Sequence, residues 1–146
     1  MFLADKKLIK DKDSTYRGAD FRGEVAAILE ELQDRGVINK LSLRVRYKDQ
    51  FYAPMVVCVR NFDVVFFSTT TVRSDRLKEQ QWDSWGIKEN TERLTKCIVI
   101  IPQHLSIKEE ERANAEIERL SKKGYISKID GILRPAQLSE YLTNLK

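Results

Sequence analysis

The stretch from Phe66 to Trp82, FFSTTTVRSDRLKEQQW, gathers most of the chain's chemically useful side chains. An apolar run empties into the hydroxyls of Thr70 and Thr71. Arg73, Arg76 and Lys78 follow at once, with Gln80 and Gln81 behind them. Helix N-terminal amides, threonine hydroxyls and guanidinium forks converging on one side make a phosphate-binding edge. Glutamines on the same helix could reach base edges in a groove. The same residues also fit a solvated helix whose Asp75 and Glu79 pair with Arg76 and Lys78. Arg44 and Arg46, with Lys48, form a second basic group. Period-two spacing puts Arg44 and Arg46 on one strand face, for salt-sensitive phosphate contacts or as charges that guard an exposed strand.

Other chemistry is sparse. There is no glycine-rich phosphate loop, which sets aside P-loop NTPases and dinucleotide oxidoreductases. The single histidine, His104, follows Pro102 with no serine, cysteine or carboxylate partner nearby in sequence, which argues against a hydrolase triad. Cys58 and Cys97 lie inside apolar runs without paired spacing. They read as buried free thiols in a reducing, cytoplasmic setting.

The elements that must position these residues follow from periodicity. The chain has 146 residues, 42% hydrophobic and 33% charged, with a net charge of +4. That is globular composition for one domain, with a basic balance that admits nucleic acid, an anionic membrane or an acidic protein. The longest apolar run, Ile98 to Ile101, suits a strand and not a membrane span, and the N-terminus lacks a signal peptide's apolar core. Residues 1–18 read as a polar arm, and residues 19–146 as a single α/β domain. Phe21, Val25, Ile28, Leu29 and Leu32 share one helical face, with Asp20 as a cap and Gly36 as a left-handed stop. Three strands come next, at 41–47, 55–59 with Pro54 at its beginning, and 64–67. Arg60 to Asp63 turns between the last two. Ser74 starts a helix with Leu77, Gln81 or Trp82, and Trp85 inward. A strand at 97–101 follows, then a charged helix over 107–122 capped by Ser106, an extended piece at 125–129, and a last helix opened by Pro135. Three successive strands predict an antiparallel meander, and the helix before Cys97 predicts a crossover to a parallel neighbour. The expected architecture is a central mixed sheet flanked by helices.

This order, together with Thr70-Thr71-Val72-Arg73-Ser74-Asp75-Arg76 at the strand-to-helix junction, resembles the core of type II restriction endonucleases and related PD-(D/E)XK nucleases. The similarity covers roughly residues 18 to 101. It implies a restriction-endonuclease-like fold, double-stranded DNA as partner, and Mg²⁺-dependent phosphodiester hydrolysis. Glu24 sits where that family's helix carboxylate would be. The family's acidic-x-Lys triplet would fall on Phe67-Ser68-Thr69, and its second-strand acid near Pro54 or Met55, none of which is acidic. Asp63 and Asp49 flank the strands as displaced substitutes. Glu24 and Asp63 are then the metal ligands, with Asp49 as a further catalytic carboxylate. Cutting both strands would call for a homodimer or a partner nuclease subunit. Two alternatives stand beside the endonuclease: a catalytically silent DNA-binding subunit of the same fold, and a protein-interaction domain with a basic face.

Overall fold

In a computed structural model, which describes residues 18–71, 73–122 and 129–145, the first predicted apolar stripe is buried. Helix α1 (Gly18–Asp34) buries Phe21, Val25, Leu29 and Leu32. It stops as expected: Gly36 takes a φ of 78°. The Gly36 N–H donates to the Gln33 carbonyl (3.0 Å) and the Val37 N–H to the Leu32 carbonyl (2.9 Å). That pair of bonds satisfies carbonyls the helix end would otherwise leave open.

Strands β1 (Lys40–Tyr47), β2 (Phe51–Val59) and β3 (Phe62–Ser68) form the predicted antiparallel meander. Helix α2 (Ser74–Glu89) then leads to β4 (Leu94–Ile100), parallel to β3. Helix α3 (Ile107–Ser121) leads to the short β5 (Gly131–Leu133), parallel to β4. A 3₁₀ turn at Pro135–Gln137 opens α4 (Leu138–Asn144). The sheet order is β1-β2-β3-β4-β5. The expected α/β architecture, a mixed sheet between helices, is what the chain adopts.

Each face of the sheet carries its own core. On one face α1 and α4 cover Met55, Val57, Val64, Phe66, Ile98 and Ile100. On the other, Ile87 of α2 packs with Phe51, Val65, Phe67, Cys97 and Val99, and Leu77 meets Ala113 and Leu120 of α3. Burial on both sides explains why β2, β3 and β4 read as dense apolar runs. Gly86 brings α2 close to the sheet, for a Cβ there would lie 2.0 Å from the Phe51 ring. The Cys97 thiol is pushed up to about 11 by burial, and Cys58 is half-buried, both free as expected.

Several local expectations change. Pro54 lies inside β2, not at its beginning, because the ladder passes over it: Leu43 pairs with Met55 and Val45 with Ala53, leaving Arg44 and Pro54 unpaired. Arg44 takes a φ of 55° there, so a proline without an N–H costs the ladder nothing. The phase of β1 reverses at this point, Leu41 joining the α1-side core and Val45 and Tyr47 the α2 side. Strict alternation through Arg44 and Arg46 therefore fails. Of the two residues offered for the inner face of α2, Gln81 is the buried one and Trp82 is 47% exposed. Last, Arg73, not Ser74, occupies the N-cap of α2, with no side-chain cap. The polar arm falls outside the described residues except for Gly18, which opens α1, and so does the extended piece except for Ile129. No helix among the described residues is long and apolar enough to cross a membrane.

Candidate nucleic-acid interface

Parallel strands β3 and β4 both point their C-terminal ends toward the junction that leads into α2, the end of an open sheet where ligands bind. β3 delivers Ser68 there. Thr69 closes the strand, its N–H bonded to the Ile100 carbonyl (3.0 Å) and its hydroxyl to the Thr71 carbonyl (2.6 Å). This hydroxyl turn redirects the chain into α2. The turn is made by the Thr69 hydroxyl and the Thr71 backbone, a role distinct from the phosphate contacts expected of the Thr70 and Thr71 hydroxyls.

A pocket of about 140 Å³ opens at this end, lined by Arg22 of α1, Tyr52 and Pro54 of β2, Phe67 and Ser68 of β3, and Arg76, Glu79, Gln80 and Asp83 of α2. The four α2 residues recur at three- and four-residue spacing, which stacks them on one helix face. Beside it a second hollow is lined by Arg22, Leu43, Arg44, Tyr52 and Pro54, so Arg22, Tyr52 and Pro54 are common to both. Arg46 places its guanidinium 5.0 Å from the centre of the Tyr52 ring. The two basic groups seen in the sequence thus converge on one edge, around Tyr52 and Pro54.

The arginines divide by what holds them. Arg73 is clamped by Asp75 in a two-point contact (3.1 and 2.7 Å), which raises the guanidinium pKa and lowers that of the carboxyl. Arg93, Arg119 and Arg134 pair with Asp63, Glu116 and Glu110. Arg22, Arg44, Arg46, Arg76 and Lys78 make no ion pair among the described residues. Cations in that state are available for an anionic partner.

The glutamines separate as well. Gln81 is 3% exposed and ties elements together: its Nε2 donates to the Ile117 carbonyl (3.2 Å) and its Oε1 accepts from the Ile129 N–H (3.4 Å). It is a clamp between α2, α3 and the chain entering β5, and faces away from any partner. Gln80, 7% exposed, lines the pocket with its Oε1 buried and unpartnered.

The proposed metal ligands do not come together. Asp63 begins β3 opposite Cys58, at the far end of the strand from Ser68, and pairs with Arg93 at 2.8 Å. Five residues of extended chain separate it from Ser68 by about 17 Å. Asp49 stands exposed in the β1–β2 turn with a φ of 55°. Glu24 is half-buried on α1 but lies off the stripe Ala19, Arg22, Gly23 and Ala26 that faces the hairpin. Arg22 takes the position facing the crevice. Among the described residues no three His, Cys, Asp or Glu side chains group closely enough to hold a metal ion. The expected set of Glu24, Asp63 and Asp49 therefore does not fit Mg²⁺.

Two acids that the sequence did not single out do reach the pocket. Glu79 and Asp83 sit one turn apart on α2, and Asp83 accepts the Tyr52 N–H (3.2 Å). Burial raises the Asp83 pKa, and Glu79 adds to the rise. Their four-residue spacing was legible, but nothing in the sequence showed that Tyr52 and Pro54 would close the other wall. Comparison with protein-family models, curated proteins and solved structures yields no match.

Proposed function

We propose that this chain is a DNA-binding protein of restriction-endonuclease-like fold whose described residues assemble no cleavage centre. The observation that carries the reading is the crevice where β3 enters α2, rimmed by Arg22, Arg44 and Arg76, none held by a carboxylate among the described residues. A cleft lined by free guanidinium groups, next to polar residues, suits a phosphate backbone.

The fold assignment rests on topology. A helix, a three-strand meander, a second helix and a parallel strand occur in the order that the resemblance implies, in the sheet order β1-β2-β3-β4-β5. Pro54 and Phe67, at the positions where the resemblance puts its strand carboxylates, line one pocket. The pocket is thus in the right place with the wrong residues for metal-assisted hydrolysis, and this favours the silent subunit over the endonuclease. Should the chain complete a nuclease, the strand carboxylates absent at Pro54 and Phe67 would come from a partner nuclease subunit.

The experiment is incubation of the purified protein with plasmid DNA, with Mg²⁺ or with EDTA, beside a salt-titrated binding assay. Binding that weakens with salt, and no EDTA-sensitive cleavage, is expected. Discrete Mg²⁺-dependent cutting would overturn the silent reading and return the chain to the endonucleases. Failure to bind at low salt would remove the nucleic-acid reading altogether.

A further inference from the structure

The pocket at the β3–α2 junction is lined by charges of both signs: Arg22 on α1, and Arg76, Glu79 and Asp83 on α2. Among the described residues none of the four forms an ion pair, so they do not neutralise one another. The two acids differ in setting. Glu79 is exposed, whereas Asp83 is half-buried and accepts the Tyr52 N–H at 3.2 Å. Burial raises the Asp83 pKa; the Tyr52 N–H opposes the rise, Glu79 adds to it and Arg46 opposes it. The charged groups around Asp83 are thus Glu79 and Arg76 from α2, Arg46 from β1 and Arg22 from α1. Strands β2 and β3 add Tyr52, Pro54, Phe67 and Ser68 to the lining, and no charge.

A phosphate drawn in by the two arginines comes to rest beside these carboxylates. With Asp83 ionised, it meets a like charge in a site partly shielded from water, where repulsion exceeds that in bulk solvent. With Asp83 protonated, that repulsion is gone and the carboxyl can donate its O–H to a phosphate oxygen. Anion entry and proton binding therefore favour one another, and linkage makes the effect of each on the other equal.

We propose that DNA binding at this crevice is coupled to uptake of one proton from solvent by Asp83, so that pH sets the affinity. The inference rests on the nucleic-acid reading and adds a means of regulation to it. A neighbouring phosphate disfavours the ionised carboxylate, so the complex keeps the proton to a higher pH than the free protein does. Affinity is greatest where free Asp83 is already protonated. It falls as pH rises from the free protein's titration to that of the complex, and levels off above it.

The test measures duplex affinity at fixed ionic strength, from the ordinary carboxylate range to above neutrality. Calorimetric titrations in two buffers of different ionisation enthalpy count the protons taken up. The wild type should lose about tenfold in affinity across the range, the effect of one like charge facing a phosphate, with net proton uptake where the loss occurs. Asp83→Asn keeps an acceptor for the Tyr52 N–H but carries no charge. Its affinity should stay nearly constant, about tenfold above wild type at the alkaline end, with no proton uptake. Should Asp83→Asn disturb the fold, Glu79→Gln at an exposed position reads the same coupling. It removes a charge that raises the Asp83 pKa, so the fall in affinity should move to lower pH. Wild-type affinity independent of pH would overturn the inference while leaving DNA binding intact. So would a fall that persists in Asp83→Asn or stays unmoved in Glu79→Gln, since the proton would then bind elsewhere. Absence of duplex binding at every pH would remove the nucleic-acid reading beneath the inference.

Discussion

Gln80 and Gln81 are adjacent on α2, yet one lines the crevice with an unsatisfied oxygen and the other ties three parts of the fold together. Identical side chains acquire different tasks because a helix turns by about 100° between them. Asp83, one turn beyond Glu79, carries a prediction of its own. Burial raises its pKa, so folding favours the protonated carboxyl. The resulting stabilisation is present below the ordinary carboxylate range and is lost as pH rises through the raised value. Asp83→Asn should therefore weaken the pH dependence of stability just above the ordinary carboxylate range while keeping an acceptor for the Tyr52 N–H. Urea unfolding of both proteins across that range measures it; parallel stability curves would show that Asp83 does not titrate as its burial requires. The residue types at this edge were all legible in the sequence. What was not legible was which would remain unpaired: Arg73 and Arg76 look alike in SDRLK, but only Arg73 has Asp75 folded back on it.

At the scale of elements, periodicity carried the order of helices and strands. The apolar stripe of α1, the Gly36 stop and the Ser106 cap of α3, which accepts the Glu109 N–H (3.1 Å), are all local signals and all hold. The departures arise where a long-range contact decides. Pro54 marks a boundary in most strands, but here the left-handed Arg44 opposite it lets β2 run on to Phe51. On α2, Gly86 admits the Phe51 ring against the helix backbone, and Trp82 and Trp85 stack 5.2 Å apart. Gly86→Ala should accordingly destabilise the fold by about 2–3 kcal/mol, through overpacking against the buried Phe51 ring. Denaturant unfolding tests this, and a change below about 0.5 kcal/mol would show that Phe51 moves freely.

Across the whole molecule, the sheet's two ends differ. One end holds Asp63 in an ion pair with Arg93. At the other, Arg22 and Arg44 from α1 and β1 and Arg76 from α2 surround the crevice without carboxylate partners among the described residues. Arg22 drew no notice in the sequence, being one of several charges on an amphipathic helix; only the approach of α1 to the β1–β2 hairpin gives it a place. The same approach leaves Glu24 outside the crevice, so the carboxylate expected from α1 is replaced by a guanidinium. The measurement that tests this account most directly is the salt dependence of duplex binding for the wild type and for an Arg22→Ala/Arg76→Ala double variant. Each phosphate contact contributes about 0.9 to the slope of log affinity against log salt, so the variant's slope should be shallower by about 2, with weaker binding at low salt. An unchanged slope and affinity would contradict the account and place any nucleic-acid contact elsewhere on the molecule.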